Sequence, residues 1–217
     1  RVSPLSTLKS PSENEQLSGI SGLVYRNIRN VTTLVGKSID VPLAAISKIF
    51  ASQPDSTSTQ TMLAALNGVL GDHLVQSENP LAIAMNFRRD GQILHKEQLR
   101  EIIKQSNGKL LIMVHGLCMN DLQWQQKNHN HGAQLAKESG MVAIYLHYNT
   151  GQHISDNGKQ FASLLESLIT LADDNLEINI LTHSMGGLVS RSAINVAKNS
   201  GYQWPERLNK LVFLGTP

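Results

Sequence analysis

Ser184 stands in a sequence pattern that suits a nucleophile. It lies in the segment THSMGG at positions 182–187, between an apolar run that predicts a strand and one that predicts a helix. This is the context of a nucleophile elbow, G-x-S-x-G, whose sharp turn strains the serine backbone and lifts Oγ above the sheet. Residues two positions away must be small, and Gly186 meets this condition whereas Thr182 departs from it. The pattern favours a catalytic serine over a glycine-rich helix start that only packs or binds an anion.

A second motif supplies backbone groups for an oxyanion. The run Val114-His115-Gly116-Leu117 ends a predicted strand, and the turn that follows would point the Leu117 N–H at a substrate oxygen. The Met185 N–H, at the predicted helix start, is the second expected donor. Both motifs fall at carboxyl ends of parallel strands, where α/β sheets bind ligands. For the His115 side chain we expect a structural role, a hydrogen bond within the loop.

The base for such a serine is harder to find. A serine hydroxyl needs a base, and in this arrangement the chain order is serine, then acid, then histidine. After Ser184 the sequence has no histidine, and its only acid is Glu206. The simplest interpretation is that the acid and base follow Pro217 in a longer chain. His153, after the strand at 142–146, is the alternative base; otherwise it fixes its loop, with Ser155 capping the next helix.

Five other polar positions are assigned no catalytic role. His129 and His131 have the spacing of a metal pair, but no Asp, Glu or Cys cluster completes a site, so neither metal nor cofactor is predicted. His183 should point away from the site. Asp121 is expected to cap a helix, and Cys118 to be a small core residue.

The order of the elements predicts an α/β fold. Near-continuous apolar strands alternate with helices, which indicates a mostly parallel sheet covered by helices on both faces. Ahead of it, alternation over 83–87 and the pair Asp90-Gly91 predict a β-hairpin, followed by a helix that includes residues 99–103. The remaining predicted strands are 110–114, 142–146, 178–181 and 211–214, and the predicted helices are 132–139, 161–171 and 188–198.

A change of composition at Pro80 divides the chain. Residues 1–20 are rich in Ser, Pro, Glu and Gln and predict a mobile tail. Residues 21–79 predict an N-terminal helical region, with helices over 24–37 and 42–50, a linker over 52–61, and a helical stretch from Met62 that Gly71-Asp72 interrupts. Residues 80–217 predict the α/β core, incomplete at its C-terminal end because the sheet stops at Leu214.

Overall composition excludes some function classes. The 217 residues are 41% hydrophobic, and the net charge is +2 with no Lys/Arg run, so we expect no nucleic-acid partner. No apolar run approaches the roughly 20 residues of a membrane span. The single cysteine allows no internal disulfide, which favours a reducing compartment such as the cytoplasm.

The motifs also carry a family resemblance. The pair VHGL and HSMGGLVSR, followed by KLVFLGTP, resembles bacterial α/β-hydrolase fold esterases and lipases, including the group similar to GPI-inositol deacylases; so does YNTGQHIS at 148–155. The resemblance covers about 110–217 and is specific to the fold, not to a substrate. It implies an acyl-enzyme on Ser184, oxyanion N–H groups from Leu117 and Met185, and an ester or lipid-like small-molecule substrate.

Two other interpretations stay open at this point. In one, the chain is a non-catalytic interaction module with a vestigial elbow, whose N-terminal helices dock a partner or a membrane surface. In the other, the same elbow carries out acyl transfer, or thioester or amide cleavage. The acyl and leaving-group pockets that would decide among these reactions are built largely by loops that the motifs do not specify.

Overall fold

The computed structural model describes residues 56–126, 129–172 and 175–217. The helices of this part are α1 (Thr57–Gln76), α2 (Lys96–Gln105), α3 (His131–Glu138), α4 (Ile154–Ile169) and α5 (Met185–Ser200). Its strands are β1 (Asn86–Arg89), β2 (Gln92–Ile93), β3 (Lys109–Val114), β4 (Gln125–Gln126), β5 (His129–Asn130), β6 (Val142–His147), β7 (Glu177–His183) and β8 (Leu208–Leu214). The tail and the first two predicted helices lie outside the described residues.

Six of these strands form one mixed sheet in the order β2-β1-β6-β3-β7-β8. Strands β6, β3, β7 and β8 are parallel, whereas β1 pairs antiparallel with both β2 and β6. The predicted α/β class, with a mostly parallel sheet, is therefore confirmed. Because parallel strands end at the same edge, the loops after β3, β6 and β7 come together there.

Side chains alternate between two cores across the sheet. From β3, Leu110, Ile112 and Val114 pack into the larger core, which α2, α4 and α5 cover. The intervening Leu111 and Met113 pack into a smaller core on the other face, against Trp124 and Ala136 of α3. Burial of both faces explains why β3 reads as a continuous apolar run.

The predicted hairpin is confirmed, but its first strand is shorter than expected. Asp90 and Gly91 both have positive φ, 52° and 77°, as a tight two-residue turn requires. The alternation predicted a strand from Ile83, whereas β1 begins at Asn86. The Ile83 N–H donates instead to Asn67 Oδ1 of α1, at 2.9 Å, so a side chain takes the place of a strand partner.

Helix α1 differs from prediction in two ways. It begins at Thr57, inside the predicted linker, because Ser56 Oγ accepts a hydrogen bond from the Thr59 N–H and caps the helix. It also continues through Gly71 and the following aspartate, where an interruption was predicted. Gly71 is buried, so here close packing outweighs the low helix propensity of glycine. None of the helices in the described part is long and apolar enough to cross a membrane.

Candidate active site

Ser184 occupies a strained turn between β7 and α5. Its φ of 50° and ψ of −124° are rare for a residue with a side chain, and this strain is what the motif predicts. Hydrogen bonds to the end of β8, to the residues after it and to α5 hold this turn in place. The Ser184 N–H donates to the Leu214 carbonyl at 2.8 Å, while its carbonyl accepts from the Gly187 N–H and from Thr216 Oγ1.

The small residue required after the serine has a clear steric reason. A Cβ on Gly186 would lie 2.6 Å from the His115 carbonyl oxygen and 2.8 Å from that of Val114, so α5 meets the end of β3 backbone to backbone. Thr182, the departure from the motif, is fully buried. Its Oγ1 donates to the Val212 carbonyl of β8 at 3.1 Å, so the buried hydroxyl has a hydrogen-bond partner.

The loop after β3 passes directly against the elbow. A Cβ on Gly116 would lie 3.1 Å from Ser184 Cβ and 3.1 Å from His183 Nδ1. Leu117 follows, and this residue is 41% exposed. Within the described chain, neither the Leu117 nor the Met185 N–H donates to another backbone group. Leu117 follows Gly116, which lies against Ser184, and Met185 is the next residue after Ser184, so both peptides lie at the end of the sheet where Ser184 lies.

His115 is buried at the base of this loop. Its ring stacks on Tyr148 with centroids 4.5 Å apart, and its Nδ1 lies 3.0 Å from the Gly116 carbonyl, to which it donates. The Tyr148 hydroxyl donates to the His115 carbonyl at 2.8 Å. Burial lowers the His115 pKa to about 3, so the ring is neutral at physiological pH. These contacts are those of a histidine that fixes its own loop.

Sequence reasoning missed a buried ionic cluster beside this loop. Asp121 Oδ1 lies 3.2 Å from the Arg88 guanidinium and 3.3 Å from His147 Nδ1. All three side chains are nearly inaccessible to solvent, and Arg88 also donates to Gln60 Oε1 of α1. Asp121 was expected to cap a helix, but it is the first residue of a short 3₁₀ helix, Asp121–Trp124, whose cap is Asn120. The Asn120 side chain accepts from the Leu122 N–H. Asp121 instead joins the loop after β3 to β1 and β6.

In this cluster the charges of Asp121 and Arg88 stabilise each other. Burial raises the Asp121 pKa, but the contact with His147 and the charge of Arg88 outweigh burial, so the pKa lies below its usual value. Burial lowers the His147 pKa. Asp121 therefore stays a carboxylate paired with Arg88. The sequence alternation placed Arg88 on the polar side of its strand, where exposure was expected, but the structure buries it. Nothing else in the sequence pointed to this cluster.

The other candidate residues make no hydrogen bond with the Ser184 hydroxyl in the described part of the chain. His153 is exposed, and its Nε2 lies 3.6 Å from Asp72 Oδ2 of α1. It also occupies the cap position of α4, which corrects the prediction for Ser155: that residue lies inside the first turn. Glu206 precedes β8 and so lies at the amino ends of the parallel strands, whereas Ser184 lies at their carboxyl ends. Among the described residues, the hydrogen bonds of Ser184 involve only its backbone.

Four further side chains, to which the sequence assigned no catalytic role, have the following surroundings. Cys118 is buried, and burial raises its thiol pKa to about 11, so it is not a thiolate. His183 lies edge-on to Trp124 with centroids 6.4 Å apart. His129 and His131 contact each other through their rings, and in the described ranges no three metal-binding side chains lie together.

Comparison with known proteins gives one family and a distant structural likeness. Crystal structures of Bacillus licheniformis lipase BlEst2 are 24% identical to the chain, in propeptide form (TM-score 0.41) and in mature form (TM-score 0.42). They cover 50% and 51% of this chain, which spans only 22% and 41% of theirs. No curated protein matches. The sequence model of a family described as a domain of unknown function (DUF7379) matches residues 80–217. This match covers more than half of the chain, which therefore belongs to the DUF7379 family.

Proposed function

We propose that this protein is a serine hydrolase of the α/β-hydrolase type, with Ser184 as its nucleophile and carboxylic esters as substrates. The observation that carries the proposal is the positive φ of Ser184 in a strand-to-helix turn. Strain of this kind costs about 1–3 kcal/mol and persists where the surroundings enforce it, which is commonly at functional sites. A helix start that only packs or binds an anion has no need of it.

The proposed reaction has two acyl-transfer steps. Ser184 Oγ attacks the ester carbonyl carbon and gives up its proton to a general base, and the N–H groups of Leu117 and Met185 bind the developing oxyanion. The C–O bond to the alcohol then breaks, the base returns the proton to the alcohol, and an acyl-enzyme remains. Water, activated by the same base, releases the acid. Within the described residues His153 is the base to test, because it follows β6 at this edge.

Two features support the oxyanion assignment. The Gly116 backbone lies against Ser184, so the next peptide, with the Leu117 N–H, is close to the elbow. The Met185 N–H opens α5, where the helix dipole favours a negative charge. In many enzymes, hydrogen-bond donors that are already in place before the reaction make the largest single contribution to the rate enhancement, because they stabilise the charge of the transition state.

A labelling experiment and a rate measurement test the proposal on the full-length protein. A fluorophosphonate should label Ser184, located by peptide mass spectrometry, because only an activated serine reacts. Hydrolysis of p-nitrophenyl butyrate should fall at least about a thousandfold in Ser184→Ala. The matched control is Ser200→Ala, an exposed serine at the end of α5, which should keep full turnover. Labelling elsewhere, or unchanged turnover in Ser184→Ala, would contradict the mechanism.

A further inference from the structure

Helix α1 touches the loop that carries the Leu117 N–H. A Cβ on Gly68 would overlap Cys118 Sγ and lie 3.0 Å from Cys118 Cα, so the helix backbone rests on the residue after Leu117. Cys118 has a φ of 56°, which is unfavourable for any residue but glycine and persists only where neighbours hold it. Its N–H donates to Thr150 Oγ1 at 3.0 Å, and the Gly68 backbone closes its other side.

The same helix is packed onto the loop after β6. A Cβ on Gly71 would overlap Asn149 Oδ1 and lie 2.7 Å from Gly151 Cα. Asn149 Nδ2 donates to the Gly71 carbonyl at 3.1 Å. Since Thr150 of this loop holds Cys118, α1 and the loops after β3 and β6 form one packed unit.

A third link fixes the far end of the loop after β3. Gln60 Oε1, near the start of α1, accepts from Arg88, which in turn pairs with Asp121. The segment between Gly116 and Asp121 is thus held near both ends by contacts that lead to α1. This helix precedes residues 80–217, the part that the family model matches.

We propose that α1 braces the oxyanion loop, with Gly68 and Gly71 as positioning residues that set where the Leu117 N–H points relative to Ser184. The catalytic consequence rests on the proposed function, whereas the brace itself does not. The working unit would then begin before the family domain and include α1.

Gly68→Ala tests the brace with a single methyl group. Alanine favours a helix by about 1 kcal/mol over glycine, so any loss must come from the overlap with Cys118. We expect kcat for p-nitrophenyl butyrate to fall about 10–100-fold with KM changed less than about twofold, because a misplaced donor costs transition-state binding. Val69→Ala, the adjacent exposed position on α1, is the control and should keep full kcat. Adding Cys118→Ala removes Sγ and should restore most of the lost kcat.

Hydrogen–deuterium exchange of the segment 115–124 separates the brace from the chemistry. Exchange should be faster in Gly68→Ala, unchanged in Val69→Ala and slow again in Gly68→Ala/Cys118→Ala. If the wild type neither labels nor hydrolyses esters, the proposed function fails while exchange still decides on the brace. Normal exchange and kcat in Gly68→Ala, or a loss that Cys118→Ala does not rescue, overturns the inference. If Gly68→Ala does not fold, Gln60→Ala is the second test, because it removes the hydrogen bond from Arg88 to α1 without introducing a steric overlap. Slow exchange of the segment 115–124 in Gln60→Ala would also overturn the inference.

Discussion

Burial fixes the protonation state of His115. With a pKa of about 3 in the folded protein and about 6.5 in an unfolded chain, this histidine binds a proton in the unfolded state first. Its neutral burial therefore contributes stability that is complete above about pH 6.5 and is lost as the pH falls toward 3. The pKa of His147 and that of His183 are also lowered by burial, so they add to the same trend.

We predict an acid-dependent loss of stability that depends on His115. Between about pH 6.5 and 4.5, one such histidine accounts for about 2–3 kcal/mol of the free energy of unfolding. His115→Asn should remove that share of the pH dependence, whatever its effect at pH 7. Urea denaturation at several pH values measures it, with the exposed His73→Asn as control. Parallel curves for wild type and His115→Asn would show that this histidine is not the group responsible.

Residues differ in how far sequence could identify them. Ser184 and Gly186 were predictable because one short turn imposes both the strain and the lack of a side chain. The pair Arg88–Asp121 was not, since its members are 33 residues apart and meet only when β1 takes its register against β6. A local pattern carries no information on such a contact.

Elements were predictable where periodicity was strong. The strands of the sheet and the hairpin follow from apolar runs and from Asp90-Gly91. Helix α1 was misjudged at both Thr57 and Gly71, because its polar start is stabilised by a cap and its glycine by contact with a distant loop. Tertiary packing decides such cases, and local propensity then misleads.

At the scale of elements, the Arg88–Asp121 pair joins β1 to the loop after β3. We predict how its removal changes the free energy of unfolding. Asp121→Asn leaves a buried guanidinium without its carboxylate, which should cost about 3–5 kcal/mol of unfolding free energy. Replacing both residues, as Arg88→Leu/Asp121→Leu, should recover a large part of that loss because no unpaired charge remains. Urea denaturation at pH 7 compares the two. A double variant less stable than Asp121→Asn would mean that the hydrogen bond from Arg88 to Gln60 and the contact of Asp121 with His147 contribute more to stability than the charge pair.

At the scale of the molecule, strand β8 forms an apolar side of the sheet. Among residues 56–126, 129–172 and 175–217 it pairs with β7 alone, and Val212, Phe213 and Leu214 are each 43% exposed. Such a strand presents unpaired N–H and C=O groups next to apolar side chains, which promotes pairing between chains. The apolar run at 211–214 predicted this strand, which the structure extends to Leu208–Leu214.

We therefore expect the 217-residue chain to self-associate through β8. Size exclusion with light scattering over a range of concentrations should show a mass that rises with concentration. Val212→Lys should shift the chain toward monomer, because a charged side chain on an edge strand opposes pairing. The matched control is Val75→Lys, a valine of similar exposure, 41%, on α1. A monomer at every concentration, or an equal effect of Val75→Lys, would show that association does not run through β8. Self-association relieved at Val212 but not at Val75 would locate the contact between chains at β8.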